Sequence, residues 1–286
     1  MTAEVVRAVP QEEKRLTVID SSYGMKLRGI LPELALYREL LLQLAWRDVK
    51  VRYKQTVIGV VWAVAQPLLT MVVFTIVFSR FAHISSGSKP YAVLVFVGLL
   101  PWQLFSQGVT RSTVSLVGST PLISKIYFPR IIIPLASLGA PLFDFAISLA
   151  ILAVLLGAYG VSPGWGLFAF PGFVALALLI SAALGLPLAA LNARYRDVGY
   201  AMPFLLQLAM YLSPVVYPLS AIPRPWRTVI EINPVTGVVQ GFRWGLMRDA
   251  APNFGFLAVG IALTVIVLVW STRYFARTQR TFADVI

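Results

Sequence analysis

Twelve Asp and Glu residues are spread through a 286-residue chain, and Asp144 alone falls inside a long uncharged run. A single carboxylate cannot pair with a second acid for general acid–base work, and a proton relay needs several such groups. Three readings are open for it: it faces a wet cavity, it stays protonated, or it caps polar backbone of a neighbouring helix. Cysteine is absent and His83 is the single histidine, which excludes disulfides, thiol nucleophiles, Cys-ligated metal and His-based zinc sites or triads. No G-x-x-x-x-G-K-[ST] occurs and Gly is never followed by Lys, so a phosphate-cradling loop is missing. The residue types therefore assign no catalytic residue, metal or cofactor to this chain. If ATP powers it, ATP and Mg are expected on a partner.

The elements that position these residues are apolar. A composition of 58% hydrophobic and 13% charged residues, with mean hydropathy +0.78, cannot be packed into a soluble domain of this size without large exposed apolar patches. A bilayer core about 30 Å thick takes roughly 20 apolar residues per helical span. Uncharged runs of that size, with the turn-rich GAYGVSPGWG at 157–166 dividing the longest, place six helices at about 57–79, 91–115, 131–157, 167–191, 199–217 and 254–273. The expected fold is all-α: a polytopic membrane protein with six transmembrane helices, an amino-terminal amphipathic interface helix and short re-entrant helices before the last span. The first 56 residues hold no apolar core of signal-peptide length, so the amino terminus is expected in the cytoplasm, and six spans return the carboxyl terminus there. On that topology 18 Lys and Arg are cytoplasmic and 6 lie on the other side, the asymmetry that sets orientation. The net charge of +12 is then explained by cations that anchor helix ends and attract anionic membrane lipid, with no nucleic acid required. The chain divides into an amino-terminal extension (1–32), an interface helix (33–56), a transmembrane domain (57–275) and a cytoplasmic tail (276–286).

Four stretches carry charge or breaks against this background. In residues 34–54, Glu39, Gln43, Arg47, Lys50 and Lys54 recur at helical spacing on one stripe, and Leu34, Tyr37, Leu41, Leu44 and Ala45 on another. Pro32 and Glu33 suit the start of this helix, which would lie along the membrane surface. In 119–130, Ser119 and Thr120 can cap a short helix opening on Pro121, Pro129 ends it, and Lys125 and Arg130 flank Tyr127 and Phe128. Loop 192–200 holds Arg194, Tyr195, Arg196 and Asp197, and taken alone these charges mark topology. The segment 214–252 is apolar but broken by six prolines, so its helices are short; Asn233 before Pro234 marks a helix start, and Gly237, Gly241 and Gly245 form a smooth ridge for packing, beside Arg243 and Trp244.

WRDVKVRYKQTVIGVVWAVAQPLL (46–69), LISKIYFPRIIIP (122–134), LNARYRDVGY (191–200), SPVVYP (213–218) and NPVTGVVQGFRWGLM (233–247) occur in that order. Over about residues 33–275 the chain resembles the membrane subunits of ABC-2 type polysaccharide exporters, the family that moves O-antigen, capsule and teichoic-acid chains on lipid carriers. The resemblance implies a permease in the inner membrane of a bacterium, working as a homodimer with two copies of an ABC ATPase on a polyprenyl diphosphate-linked polysaccharide. It implies that Glu39, Arg47 and Asp48 of the interface helix, with Arg194, Tyr195, Arg196 and Asp197 of the coupling loop, dock on the ATPase. It makes 119–130 the cytoplasmic gate, where Lys125 and Arg130 meet the lipid diphosphate and Tyr127 and Phe128 the sugar; the alternative is ordinary snorkelling cations in an aromatic belt. Phe74, Phe78, Trp102, Phe105 and Tyr211 are candidates to stack on sugars in a channel between two copies, and Asn233, Arg243 and Trp244 belong to an outer re-entrant closure. An ion-coupled carrier and a membrane enzyme acting on a polyprenyl-linked sugar are the competing functions. The lack of repeated spans with midplane charge disfavours the first, and the shortage of His and paired acids the second. Residues 1–30 have no counterpart and no assigned role.

Overall fold

In a bilayer an uncharged run has no water for its backbone N–H and C=O groups, so it satisfies them internally by coiling into helix. The computed structural model describes residues 35–54, 57–81, 89–123, 125 and 128–279, leaving aside the side chains of 57–60. Its helices are α1 (Arg38–Lys54), α2 (Val57–Phe74, continued by a π-helix over Thr75–Phe81), α3 (Tyr91–Gly118), α4 (Thr120–Ile123), α5 (Ile132–Ala136), α6 (Gly139–Ala158), α7 (Phe170–Arg194), α8 (Asp197–Leu212), α9 (Arg224–Ile232), α10 (Pro234–Met247) and α11 (Phe254–Thr278). No strand occurs among the described residues.

Among the described residues five helical segments are long and apolar enough to cross a membrane: Val61–Phe81, Tyr91–Gly118, Ile132–Ala158, Trp165–Arg194 and Phe254–Thr278. The chain is thus an all-α polytopic membrane protein, as its composition requires. Helix α8, with 16 residues, falls short of that length. At 1.5 Å per residue it spans about 24 Å, shorter than the other five segments and still compatible with six crossings. The helix was expected to run to 217 but stops at Leu212. Pro214 forces the residue before it out of the helical region, and Ser213 sits at φ −108°, ψ 144°. The expected third span is also broken, into α5 and α6, by a turn at Ser137 and Leu138. Pro141 lacks the N–H that would bond the carbonyl of Ser137 in a continuous helix.

Helix α3 is the centre of the bundle: 78% of its membrane window is buried, against 11% for α2 and 17% for α11, whose faces look outward. It packs on α7 through small residues. A Cβ on Gly185 would lie 2.5 Å from Ser112 Oγ, and one on Gly108 would lie 2.9 Å from Ser181 Cβ, so the two backbones approach closely. Two hydrophobic clusters result. The larger surrounds α3 with residues of α6, α7 and α10. The smaller lies at the α1 end, where Leu44, Leu116, Phe128, Ile132, Ala193 and Phe275 meet.

Candidate functional site

Helix α1 lies on the surface. Glu39, Gln43, Arg47, Lys50 and Lys54 are exposed along the expected polar stripe, Leu44 and Val49 are buried, and Tyr37, Leu41 and Ala45 are half-buried. Leu42, Trp46 and Val51 are also exposed, so the helix carries apolar side chains on a second open face. The proposed start at Pro32 and Glu33, with Leu34, lies outside the described residues. Arg47 Nη2 pairs with Asp48 at 2.9 Å, and Lys50 sits over the Trp46 ring at 5.8 Å. Between α7 and α8, the loop side chains Arg194, Tyr195, Arg196 and Asp197 are all exposed, with Arg194 over the Tyr195 ring at 5.3 Å. Buried Asn192 holds the loop from inside, its Oδ1 accepting from Gly199 N at 2.8 Å. Leu44 and Ala193 belong to one cluster. The two charged surface elements are therefore rooted in the same small core.

The stretch 119–130 is less open than its sequence implies. Thr120 does not cap α4; its hydroxyl donates to Val117 O at 2.8 Å, and Ser119 ends α3 and offers its carbonyl to Leu122 N and Ile123 N. Lys125 is exposed, Phe128 is buried in the small core, and Tyr127 lies outside the described residues. Arg130 Nη1 donates to Gln279 O at 2.5 Å, fastening this segment to the end of α11.

At the far end of the bundle, Asn233 caps α10 as its sequence indicates: Oδ1 accepts from Val235 N at 3.0 Å, and Nδ2 donates to Ser213 Oγ at 3.2 Å. The glycine ridge of α10 is a packing surface. A Cβ at Gly237 would meet Leu257, one at Gly241 Phe173, and one at Gly245 the backbone of Gly166. Trp244 covers Gly166 and makes an edge contact with Phe254 at 6.2 Å. Arg243 is 4% exposed and has a role that the sequence did not show. Its Nη2 donates to Val215 O at 2.8 Å and its Nη1 to Tyr217 O at 3.1 Å, while Tyr91 Oη donates to Val216 O between them at 2.6 Å. Three successive carbonyls without helical partners thus find donors, as backbone polar groups taken out of water require. The SPVVYP motif was the available signal, since its prolines guarantee carbonyls without helical partners.

The five candidate channel aromatics occupy three places. Phe74 and Phe78 pair at 5.8 Å on α2 and its π-helical extension. Trp102 and Phe105 pair at 5.3 Å, largely buried, beside a cleft shared with Ala209, Ser213, Asn233 and Thr264. Tyr211 is exposed, and its carbonyl accepts from Tyr217 Oη at 2.9 Å.

Asp144 has partners on α1 that none of its three readings named. Arg52 Nη1 lies 2.8 Å from Asp144 Oδ2, and Tyr53 Oη donates to Oδ1. Its oxygens meet side chains rather than the backbone of a neighbour, and Asp144 lines a pocket with Gln66, Gln103, Gln107 and Ser148. The break before α6 explains the error: it puts Asp144 near the start of a helix, within reach of α1. Phe143 packs against Trp46 at 6.4 Å and Tyr53 at 5.4 Å, and a Cβ on Gly139 would lie 2.6 Å from Ala45 Cβ. Burial, followed by the hydrogen bond to Asp144 and the charge of that carboxylate, pushes the Tyr53 hydroxyl up to about 12, keeping it a donor. Among the described residues no three His, Asp or Glu side chains gather to hold a metal.

The chain is a polytopic helical domain with two charged surface elements on one small core and a proline-broken segment at its other end. The model of the family described as ABC-2 type transporter matches residues 39–247, and the chain belongs to that family. It is 30% identical over 259 residues, 90% of this chain and 99% of the relative, to the O-antigen export system permease protein RfbA of Myxococcus xanthus. It is 26% identical to the protein of the same name from Klebsiella pneumoniae over 87% of this chain and 95% of the relative. Identity to the polysialic acid transport protein KpsM of Escherichia coli is 22% over 78% of this chain and 84% of that protein.

Proposed function

We propose that this chain is the membrane subunit of an ABC exporter that moves a polyprenyl diphosphate-linked polysaccharide, of O-antigen type, across the cytoplasmic membrane of a bacterium. The observation that carries the reading is the near end-to-end similarity to an O-antigen export permease. ATP and Mg are handled by a separate ABC ATPase. Helix α1 and the loop Arg194–Asp197 are its handles, because both are exposed and charged and share one core through which a pull on either reaches the bundle. Both termini lie in the cytoplasm by the distribution of Lys and Arg. Two copies of the permease enclose the path, with two ATPase subunits beneath them. Lys125, the exposed cation of 119–130, meets the lipid diphosphate as it enters. Arg130 lines the same mouth from its tether on α11.

The test is a host lacking this chain, complemented with the chain and its ATPase. Surface polysaccharide is expected to return, and the two proteins to co-purify as a two-plus-two complex. Export by the chain alone in vesicles, or surface polymer unchanged by its loss, overturns the reading.

A further inference from the structure

Helix α1 meets α6 over a short patch, where Ala45, Trp46, Arg52 and Tyr53 face Gly139, Phe143 and Asp144. Polar holding groups in that patch converge on one carboxylate. A second cation is close by. Arg111, on α3, lies within the fields of Arg52, Asp144, Asp48 and Tyr53, and its Nε is buried without a partner. Of these two guanidiniums on different helices, Arg52 holds the acid at 2.8 Å. Behind the pair, the amides of Gln66, Gln103 and Gln107 line the same pocket and offer hydrogen bonds to either side chain as it moves. An ion pair in a dry apolar site is costly to open because each charge is left bare. Here the pair is not bare on opening: half of the pocket lining is polar, and a second cation with a buried Nε stands on α3. Arg52 and Asp144 also remain partly accessible, at 25% and 18%.

We propose that Asp144 is a coupling switch: it ties α1 to α6 through Arg52 and Tyr53, and passes to Arg111 when the ATPase draws α1 away. Arg52, Tyr53, Arg111 and Asp144 are positioning residues, since none is placed against cargo. The switch rests on the reading of α1 as an ATPase handle, and it does not depend on which polymer is carried.

The chain has no cysteine, so a Trp46→Cys/Phe143→Cys pair can be cross-linked by a short bis-maleimide across a contact that the native rings already make. In the reconstituted permease–ATPase complex, the yield is expected to be high without nucleotide and to fall about tenfold with a non-hydrolysable ATP analogue, a change in partition of about 1.4 kcal/mol. Asp144→Asn lowers the resting yield. Arg52→Lys, which keeps the charge, retains it better than Arg52→Gln. Arg111→Gln leaves the resting yield intact and blunts the response to nucleotide. An unchanged resting yield in Asp144→Asn, an Arg52→Lys complex as defective as Arg52→Gln, or a normal nucleotide response in Arg111→Gln overturns the switch. Normal cross-linking in a wild-type complex that exports no polysaccharide overturns the cargo assignment alone.

Discussion

The two ends of the bundle each hold an arginine brought from a distant helix, and they hold it differently. At the far end Arg243 is buried and gives its protons to the carbonyls of Val215 and Tyr217, neutral groups that cannot leave. At the α1 end Arg52 faces a carboxylate in a partly accessible pocket, and Arg111 is its proposed second partner. A cation on fixed carbonyls makes a rigid corner, whereas a cation on a shared acid makes a joint that can open. Stability is expected to concentrate at the first and coupling at the second.

The sharpest way to break this contrast is Arg243→Ala, which strands the buried carbonyl of Val215 and the half-buried one of Tyr217 and is expected to destabilise the permease by on the order of 3 kcal/mol. Thermal unfolding in detergent measures it, and a melting temperature equal to wild type would dissolve the distinction. Next in size is Gly98→Val. A Cβ at Gly98 would lie 2.2 Å from Val215 O, so the far-end corner must shift at a cost of about 2 kcal/mol. Asp144→Asn is expected to cost about 1 kcal/mol in the same assay, because the pair is partly solvated, while coupled export falls far more. A loss of stability as large as that of Arg243→Ala would make the α1 end a second rigid corner.

Alkaline pH separates the two ends more gently. The folded protein holds the Tyr53 hydroxyl at about 12, above its ordinary value of 10.0. Its contribution is therefore complete below pH 10 and is lost as pH rises through about 12. Ultraviolet titration of Tyr53 against a Tyr53→Phe control reads the shift, and an ordinary titration would mean that the contact with Asp144 does not form in the membrane. The smallest effect on stability is expected from Arg196→Glu with Asp197→Lys. Both residues are exposed, so unfolding should move by less than about 0.5 kcal/mol. Association with the ATPase should weaken, with rim charge setting encounter and register, and unchanged co-purification would remove this loop from the handle.

Most of the fold was legible because a bilayer turns an uncharged run into a helix with few alternatives. Local chemistry also placed one break, since Asn233 opens α10 by a rule that acts on adjacent residues, whereas the end of α8 was expected at 217 although Pro214 already stops it at Leu212. Asp144 was misread for the opposite reason. Its partner Tyr53 is 91 positions away, and no periodicity links a surface helix to the start of a later span. The hydrogen bonds of Arg243 to Val215 and Tyr217 cross 28 and 26 positions and were hidden in the same way. Phe128 shows a third limit. Its charged neighbours read as a membrane surface, yet Ile131, Ile132 and Ile133 beyond it carry the segment into the small core.

The hydrogen bond between Asn192 and Gly199 has a consequence for how such a transporter can diversify. Because it shapes the backbone of the loop from within, Arg194, Tyr195, Arg196 and Asp197 project outward without supporting the turn that bears them. Little ordering entropy is then lost on docking. With this loop as the proposed ATPase handle, substitutions at these four positions would retune which motor is recognised while the turn that carries them keeps its shape.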